Sequence, residues 1–273
     1  MIGQRCVQQQ IKKAVESQSL ARFIILVGDI GSGRKTLAGE IARMIKANCI
    51  IVDKGVDSVR EVIEESYQSK SNTLYVLDND AMSQSAKSAL LKVTEEPPNN
   101  VRFVLITSNL DITLPTLVSR ACVYRMDNYT DDEIAEFAGT KDWRFPNYCT
   151  NKYEVDLLKK YGIEEFDKYV KLIVDHISEV SGANALKIGQ KIAFKGEEDK
   201  YDMKVFLQAF KTECLDRTQQ VIDEYPDKLV YLEWISITNL TLDSVRTSTY
   251  NRQYLFDTWV FDIRKASKIA KRQ

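Results

Sequence analysis

Five short apolar runs between residues 22 and 126 constrain the fold more than any other feature of this sequence. Each run is continuous rather than alternating, which is typical of strands buried on both faces of a parallel sheet. The runs are Phe23–Val27, Cys49–Val52, Thr73–Leu77, Phe103–Thr107 and Cys122–Tyr124. Amphipathic stretches separate them, and this alternation of strand and helix predicts an α/β open parallel sheet.

The stretches between the runs carry helical spacing. Leu37, Ile41 and Ile45 step by four residues and so share one helical face. Ser83 is placed to cap a later helix, which Pro97-Pro98 would stop. These signals predict that helices connect successive parallel strands.

After Met126 the strand signals stop, and the rest of the chain predicts helices. Thr130 and Glu133 form a capping pattern for the first of them. The further helical patterns are Tyr153–Lys160, Glu164–Ile177, Ala183–Phe194, Met203–Tyr225, Lys228–Thr247 and Asn251–Lys268, with a linker at Gly196–Asp199. We therefore predict an α/β domain over residues 1–126, a small helical domain over 127–196 and a second helical domain over 197–273.

Composition excludes several classes of protein. The chain has 38 basic and 39 acidic side chains, so its net charge of −1 gives no overall attraction to nucleic acid. The five cysteines lie too far apart for a zinc knuckle, and the single histidine, His176, makes Ser/His/Asp or Cys/His catalysis improbable. No apolar run approaches the ~18 residues of a membrane span. We expect a cytoplasmic protein without zinc and without a membrane partner.

A glycine-rich segment, GDIGSGRKT, joins the first strand to a helix. Such a turn exposes backbone N–H groups to a phosphate. Its first and sixth residues fit the pattern G-x-x-x-x-G-K-[ST], but Arg34 replaces the lysine, Lys35 replaces the hydroxyl residue and Thr36 is one position late. ATP binding is therefore expected to be weak or absent. The candidate nucleotide-contacting residues are Gly28, Gly31, Gly33, Arg34, Lys35 and Thr36.

The third strand ends in Asp78-Asn79. In hydrolysing P-loop proteins an aspartate here holds Mg²⁺ and a following glutamate activates the attacking water. Asp78 is present, but Asn79 cannot accept a proton, so the general base is missing. We expect no ATP hydrolysis by this chain alone.

Three segments carry a family resemblance. They are ALLKVTEEPP from Ala89 to Pro98, the strand ending Thr107-Ser108-Asn109, and LPTLVSRAC from Leu114 to Cys122, and the IGQ of Ile2–Gln4 adds to them. Together they resemble the ATPase-type (AAA+) subunits of DNA polymerase sliding-clamp loaders, in particular the delta-prime type of the bacterial DNA polymerase III loader. The likeness is strong over 1–126 and weaker beyond.

The resemblance implies a five-stranded P-loop sheet, a helical lid over 127–196 and a helical collar over 197–273. It also implies an arginine finger: Ser119-Arg120 matches the family's Ser-Arg-Cys motif, although Ala121 displaces the cysteine. Such a finger stabilises charge on a neighbour's transferring phosphoryl group. The alternative is that Arg120 merely pairs with a nearby carboxylate. Thr107, Ser108 and Asn109 match a sensor position, or else only cap the strand end.

The function implied is that of a non-hydrolysing loader subunit in DNA replication. Its partners would be other loader subunits in a hetero-oligomeric ring, the sliding clamp, and primer–template DNA through the assembly. The family's lid arginine is missing at Ser181–Leu186, and its zinc module is absent. Two alternatives remain: an ATP-hydrolysing motor subunit of the same loader, and a P-loop adaptor outside replication.

Overall fold

Five parallel strands form one sheet in the order β2-β3-β4-β1-β5. The computed structural model describes residues 2–52, 56–179, 188, 192–193, 201–220, 225–247 and 251–270. The strands are β1 (Phe23–Val27), β2 (Asn48–Ile51), β3 (Thr73–Asp78), β4 (Val101–Thr107) and β5 (Cys122–Arg125). This confirms the predicted α/β parallel sheet, and each strand lies within two residues of its apolar run.

Strand β2 is an exception to the predicted burial. All four of its residues are exposed, and Ile51 reaches 61%. The reason is its place at the edge of the sheet, next to β3 alone in the strand order. The prediction that the run Cys49–Val52 is buried on both faces was therefore wrong, although Val52 itself is buried.

The helices of the first unit, Met1–Tyr129, cover both faces of the sheet. Alternate residues of β1 enter two apolar clusters: Phe23 and Ile25 join one, and Ile24 and Leu26 join the other. The helices are α1 (Arg5–Glu16), α2 (Arg34–Met44), α3 (Val56–Gln68), α4 (Gln84–Glu95) and α5 (Pro115–Val118), with 3₁₀ turns at Asn79–Ala81 and Leu110–Ile112. Ser83 caps α4 as predicted. Helix α1 was not predicted.

The second unit, Thr130–Gln273, is mainly helical over its described residues. Thr130 and Glu133 form the predicted capping box. The helices are α6 (Asp131–Ala138), α7 (Arg144–Tyr148), α8 (Lys152–Tyr161), α9 (Ile163–His176), α10 (Met203–Gln220), α11 (Tyr225–Thr247) and α12 (Arg252–Ala270).

Two predictions for this unit need correction. A helix was predicted over Ala183–Phe194, but Ile192–Ala193 form a short strand, β6, which pairs in parallel with β7 (Tyr201–Asp202). Most of that predicted helix, the linker Gly196–Asp199 and the segment Ser181–Leu186 lie outside the described residues. The helix predicted over Met203–Tyr225 ends at Gln220, and Tyr225 begins the next helix.

Aromatic side chains make up much of the core of the second unit. Trp259 lies edge-on to both Phe206 and Phe210, with ring centroids 5.8 and 4.9 Å apart. The ring of Tyr169 on α9 contacts Phe206 on α10, with a centroid distance of 6.2 Å. Helices on either side of residue 197 thus share contacts, and the division into a lid and a collar stays a proposal.

Candidate functional site

The carboxyl ends of three central strands bring the predicted site residues together. Val27 of β1 pairs in register with Thr107 of β4, and Ile106 pairs with Asp78 of β3. The backbone N–H of Gly28 donates to the carbonyl oxygen of Thr107 at 3.0 Å. The glycine-rich loop, the acidic strand end and the sensor-like residues therefore lie side by side at one edge of the sheet, where open α/β folds bind ligands.

The path of the loop depends on its glycines. Gly31 and Gly33 have φ values of 91° and 89°, in the left-handed region that glycine adopts without strain. A Cβ on Gly28 would lie 2.7 Å from both the Cβ of Met126 and the Oγ of Ser32. The loop between β1 and α2 therefore has backbone positions that favour glycine.

Arg34, which stands where the P-loop pattern has lysine, lies buried at the start of α2. Its exposed fraction is 8%, and its Nη1 lies 3.5 Å from Oδ2 of Asp80. Lys35 and Thr36 are both exposed. The structure therefore separates the three candidates: Arg34 is buried and faces the carboxylate of Asp80, and the other two are exposed to solvent.

Asp80 was missed by sequence reasoning, although it lies only two residues beyond Asp78. Its two carboxylate oxygens accept from the backbone N–H of Ser108 at 3.0 and 2.9 Å, and Oδ1 accepts from the Thr107 hydroxyl at 2.8 Å. The carboxylate of Asp78 instead accepts from the N–H of Asp80 at 3.2 Å and caps the 3₁₀ turn. Two aspartates at one strand end thus have different roles, which no spacing in the sequence distinguishes.

Asn79 is fully buried, with an exposed fraction of 0%. Its Nδ2 donates to the hydroxyls of Thr107 at 3.1 Å and Thr113 at 3.0 Å. Both amide protons are therefore engaged within the protein. Where hydrolytic P-loop proteins have a general base, this chain has the side-chain amide of Asn79, which donates to two threonines.

The sensor-like residues also have local partners. Thr107 is fully buried, whereas Ser108 is exposed. The side chain of Asn109 accepts from the N–H of Asp111 at 2.9 Å and so caps the second 3₁₀ turn. The capping interpretation of Asn109 accounts for this contact, and the sensor role stays a proposal.

Lys87 is a second charged residue that the sequence did not single out. It is 5% exposed, and its Nζ donates to the carbonyl oxygen of Ile112 at 2.7 Å. Burial lowers the pKa of this amine, and the negative charge of Asp80 acts against that shift. The contact ties α4 to the second 3₁₀ turn and so helps to fix this edge of the sheet.

Arg120 lies just beyond α5, where its contacts are with α4 and α5. Its Nη1 donates to the carbonyl oxygen of Thr116 at 2.7 Å, and its Nη2 contacts the carboxylate of Glu95. The side chain remains 32% exposed. The carboxylate pairing considered from the sequence therefore exists, and part of the guanidinium still reaches the surface.

Three positions of the expected nucleotide site hold other residues. Lys35 stands where the P-loop pattern has the Ser/Thr ligand of Mg²⁺, and Arg34, which faces Asp80, stands where the pattern has lysine. Asn79 donates both of its amide protons within the protein. Among the residues that the structure describes, no group of three or more His, Cys, Asp or Glu could hold a metal ion. No helix in the described ranges is long and apolar enough to cross a membrane.

The strand order, the glycine-rich loop after β1 and the acidic end of β3 define a P-loop α/β fold of the AAA+ type. Residues 45–130 match the family described as DNA polymerase III, delta subunit. Over residues 45–130 the chain is therefore similar to this clamp-loader family.

Individual relatives agree with this relationship. The gamma subunit of DNA polymerase III from Buchnera aphidicola (subspecies Acyrthosiphon pisum) is 26% identical over 169 residues, which cover 50% of this chain and 47% of that protein. Replication factor C subunit 3 of Saccharomyces cerevisiae is 28% identical over 147 residues, 48% of this chain and 43% of its own length. The chain thus spans about half the length of the curated relatives it matches.

A solved structure described as a DNA polymerase III gamma subunit-related protein of Thermotoga maritima aligns with 95% of this chain and 99% of its own. Its TM-score is 0.48 and its sequence identity 16%.

Proposed function

We propose that this chain is a non-hydrolysing, delta-prime-like subunit of a sliding-clamp loader in DNA replication. The family match over residues 45–130 supports the loader class, because it includes the Glu95-Glu96-Pro97-Pro98 and Ser119-Arg120 segments. The observation that carries the non-hydrolysing part is Asn79: it donates to Thr107 and Thr113 where a hydrolytic site needs a base. In this proposal the chain completes no reaction by itself.

The active contribution of the chain is Arg120. A guanidinium supplied by one subunit stabilises the charge that develops on the phosphoryl group in the neighbour's site. The 32% exposure of Arg120 supports this role, since an arginine that serves another chain must be reachable from outside. Its contacts with Thr116 and Glu95 hold the side chain at the surface of the first unit.

The partners in this proposal are other loader subunits in a hetero-oligomeric ring, the sliding clamp, and primer–template DNA bound through the assembly. Residues 127–196 act as a lid, and residues 197–273 act as the collar that joins subunits. Three large apolar side chains on α11 and α12 support the collar assignment, because they are about two-thirds exposed: Leu240, Tyr254 and Phe261.

The test is a loader assembled from this chain and its ATP-hydrolysing partner subunits. Arg120→Ala should leave the melting temperature and assembly of this chain nearly unchanged, because the side chain that is removed is 32% exposed and does not belong to the core. It should lower the ATPase rate of the complex. The rate at the one site that Arg120 serves should fall by about three to five orders of magnitude. The total rate should fall by a smaller fraction, because other active sites in the ring still hydrolyse ATP. Arg120→Lys should restore little, because a point charge does not reproduce the planar fork.

Three results would count against the proposal. A destabilised Arg120→Ala chain whose folded fraction supports full activity would show that Arg120 is only structural. ATP turnover by the isolated chain that Asp78→Ala abolishes would favour a motor subunit. Copurification with proteins unrelated to replication would favour an adaptor.

A further inference from the structure

The Arg34–Asp80 ion pair suggests a role for the P-loop beyond the loss of hydrolysis. We propose that Asp80 is an internal counter-ion that occupies the Arg34 guanidinium in place of a nucleotide phosphate, so that the loop is held closed without a ligand. This inference rests on the proposed non-hydrolysing function and assigns it a device within the chain.

The carboxylate of Asp80 is also held by residues at the end of β4. Ser108 donates its backbone N–H to both carboxylate oxygens, and Thr107 donates its hydroxyl to one of them. A carboxylate held by these two donors is already oriented, which lowers the conformational entropy lost when the ion pair with Arg34 forms. Asp80 is therefore a surface carboxylate whose two oxygens are both held by hydrogen bonds from the end of β4.

The Arg34 guanidinium is buried beside this carboxylate. Only 8% of Arg34 is exposed. Its Nη1 lies 3.5 Å from Oδ2 of Asp80 and has no hydrogen-bond partner in the described part of the chain. A buried cation needs a counter-charge, and here Asp80 supplies it. Arg34 also begins α2, where the helix dipole disfavours a positive charge. The nearby carboxylate offsets this effect in the way that a bound phosphate would.

The pair also links two parts of the sheet edge. Arg34 belongs to the helix that follows the glycine-rich loop, and Ser108 follows β4, so Asp80 connects the loop to the strand tip. The Oγ of Ser32 in the same loop is buried and has no partner among the described residues. The loop therefore keeps an unused donor next to an arginine that is already neutralised.

The experiment measures ATP binding to the full isolated chain by titration calorimetry, with Mg²⁺ and with EDTA. Asp80→Asn removes the counter-charge and should tighten ATP binding about tenfold relative to the parent chain, the factor that corresponds to one charge-assisted interaction. Asp111→Asn is the matched control, since it removes an exposed carboxylate from the neighbouring 3₁₀ turn. The double variant Arg34→Ala/Asp80→Asn should lose the gain.

A folded Asp80→Asn chain that binds ATP no tighter than the parent would overturn the inference, as would an equal gain in Asp111→Asn. If Asp80→Asn does not fold, the ATP affinity of Arg34→Gln is measured instead. A lower affinity in that variant would show that Arg34 already binds the nucleotide in the parent chain and is not occupied by Asp80, which would overturn the inference. These measurements use the isolated chain. The counter-ion inference can therefore be wrong while the loader still depends on Arg120, and it can be right even if Arg120 is not a finger.

Discussion

Arg120 contacts the carboxylate of Glu95, the last residue of α4, while the same guanidinium donates to the carbonyl oxygen of Thr116. This relationship joins two segments that are 25 residues apart and that both belong to the family resemblance. An arginine that acts on a neighbour's phosphoryl group must leave its own carboxylate to do so. In the proposed finger role, Glu95 would therefore compete with the partner site for the guanidinium.

Glu95→Gln should raise the ATPase rate of the assembled loader by up to about fivefold. Both side chains are partly exposed, and a surface ion pair contributes only ~0–1 kcal/mol, so removing it releases Arg120 without a measurable loss of stability. Steady-state ATPase of the complex and the melting temperature of the chain are the measurements. Glu96→Gln is the control, because Glu96 is also exposed. A loss of rate as large as that of Arg120→Ala would instead show that Glu95 orients the finger.

The collar proposal can be tested at Phe261, which is 66% exposed on α12. Deleting residues 197–273 would confuse the result, because α10 contacts α9 through Tyr169 and Phe206. Phe261→Glu should leave the chain folded and should prevent assembly with partner subunits on gel filtration, because it places a charge on an apolar contact surface. Tyr67→Glu, at an exposed aromatic residue of α3, should assemble normally. Normal assembly of Phe261→Glu would contradict a contact there.

Two glycines allow a paired test of the loop. Gly28→Ala should lower the free energy of unfolding by about 1–3 kcal/mol, because the new Cβ would lie 2.7 Å from the Cβ of Met126. Gly39→Ala, in α2 with nothing within 4 Å of its Cβ, should raise that free energy by about 0.5–1 kcal/mol. Urea unfolding followed by circular dichroism measures both. Equal effects of the two substitutions would show that the loop tolerates a side chain.

Stability should fall in alkaline solution. Burial raises the pKa of the Cys149 and Cys214 thiols, and it raises the pKa of Tyr161 to about 12. In the unfolded chain a thiol ionises near pH 8.5 and a tyrosine near pH 10. Above about pH 9 the unfolded state therefore releases protons that the folded state keeps, and unfolding becomes more favourable by up to about 1.4 kcal/mol per pH unit for each group.

Urea unfolding at about pH 7.5, 9 and 10 checks this prediction. Replacing Cys149 and Cys214 with alanine should reduce the decline between about pH 9 and 10, at the cost of some stability at neutral pH. An unfolding free energy that stays constant up to about pH 10.5 would contradict the buried positions of these groups.

The sequence predicted the elements of the first unit well, because buried strands and capped helices leave local signals. Ser83 and Thr130 cap helices as expected, since an N-cap is decided within four residues. The short pair Ile192–Ala193 and Tyr201–Asp202 was missed, because two-residue strands have no periodicity. The exposure of β2 follows from its edge position, which a run of apolar letters does not encode.

The candidate site was predicted by position but not by partner. Asp78, Asn79 and Thr107 lie at one edge of the sheet as parallel topology requires. The pairing of Asp80 with Arg34 depends on the 3₁₀ turn after β3. This turn places Asp80 near Arg34 and leaves Asp78 to accept from the backbone N–H of Asp80. Such choices are made by tertiary contacts across tens of residues, and nothing in the local sequence distinguishes them.

The three tryptophans of this chain, Trp143, Trp234 and Trp259, all belong to the second unit. The indoles of Trp234 and Trp259 are buried, and their N–H groups donate to Ser267 at 3.2 Å and Thr238 at 3.0 Å. Tryptophan fluorescence consequently reports on the second unit alone, because the first unit, Met1–Tyr129, contains no tryptophan. Comparing emission with backbone ellipticity during one titration therefore separates the melting of the two halves without any label.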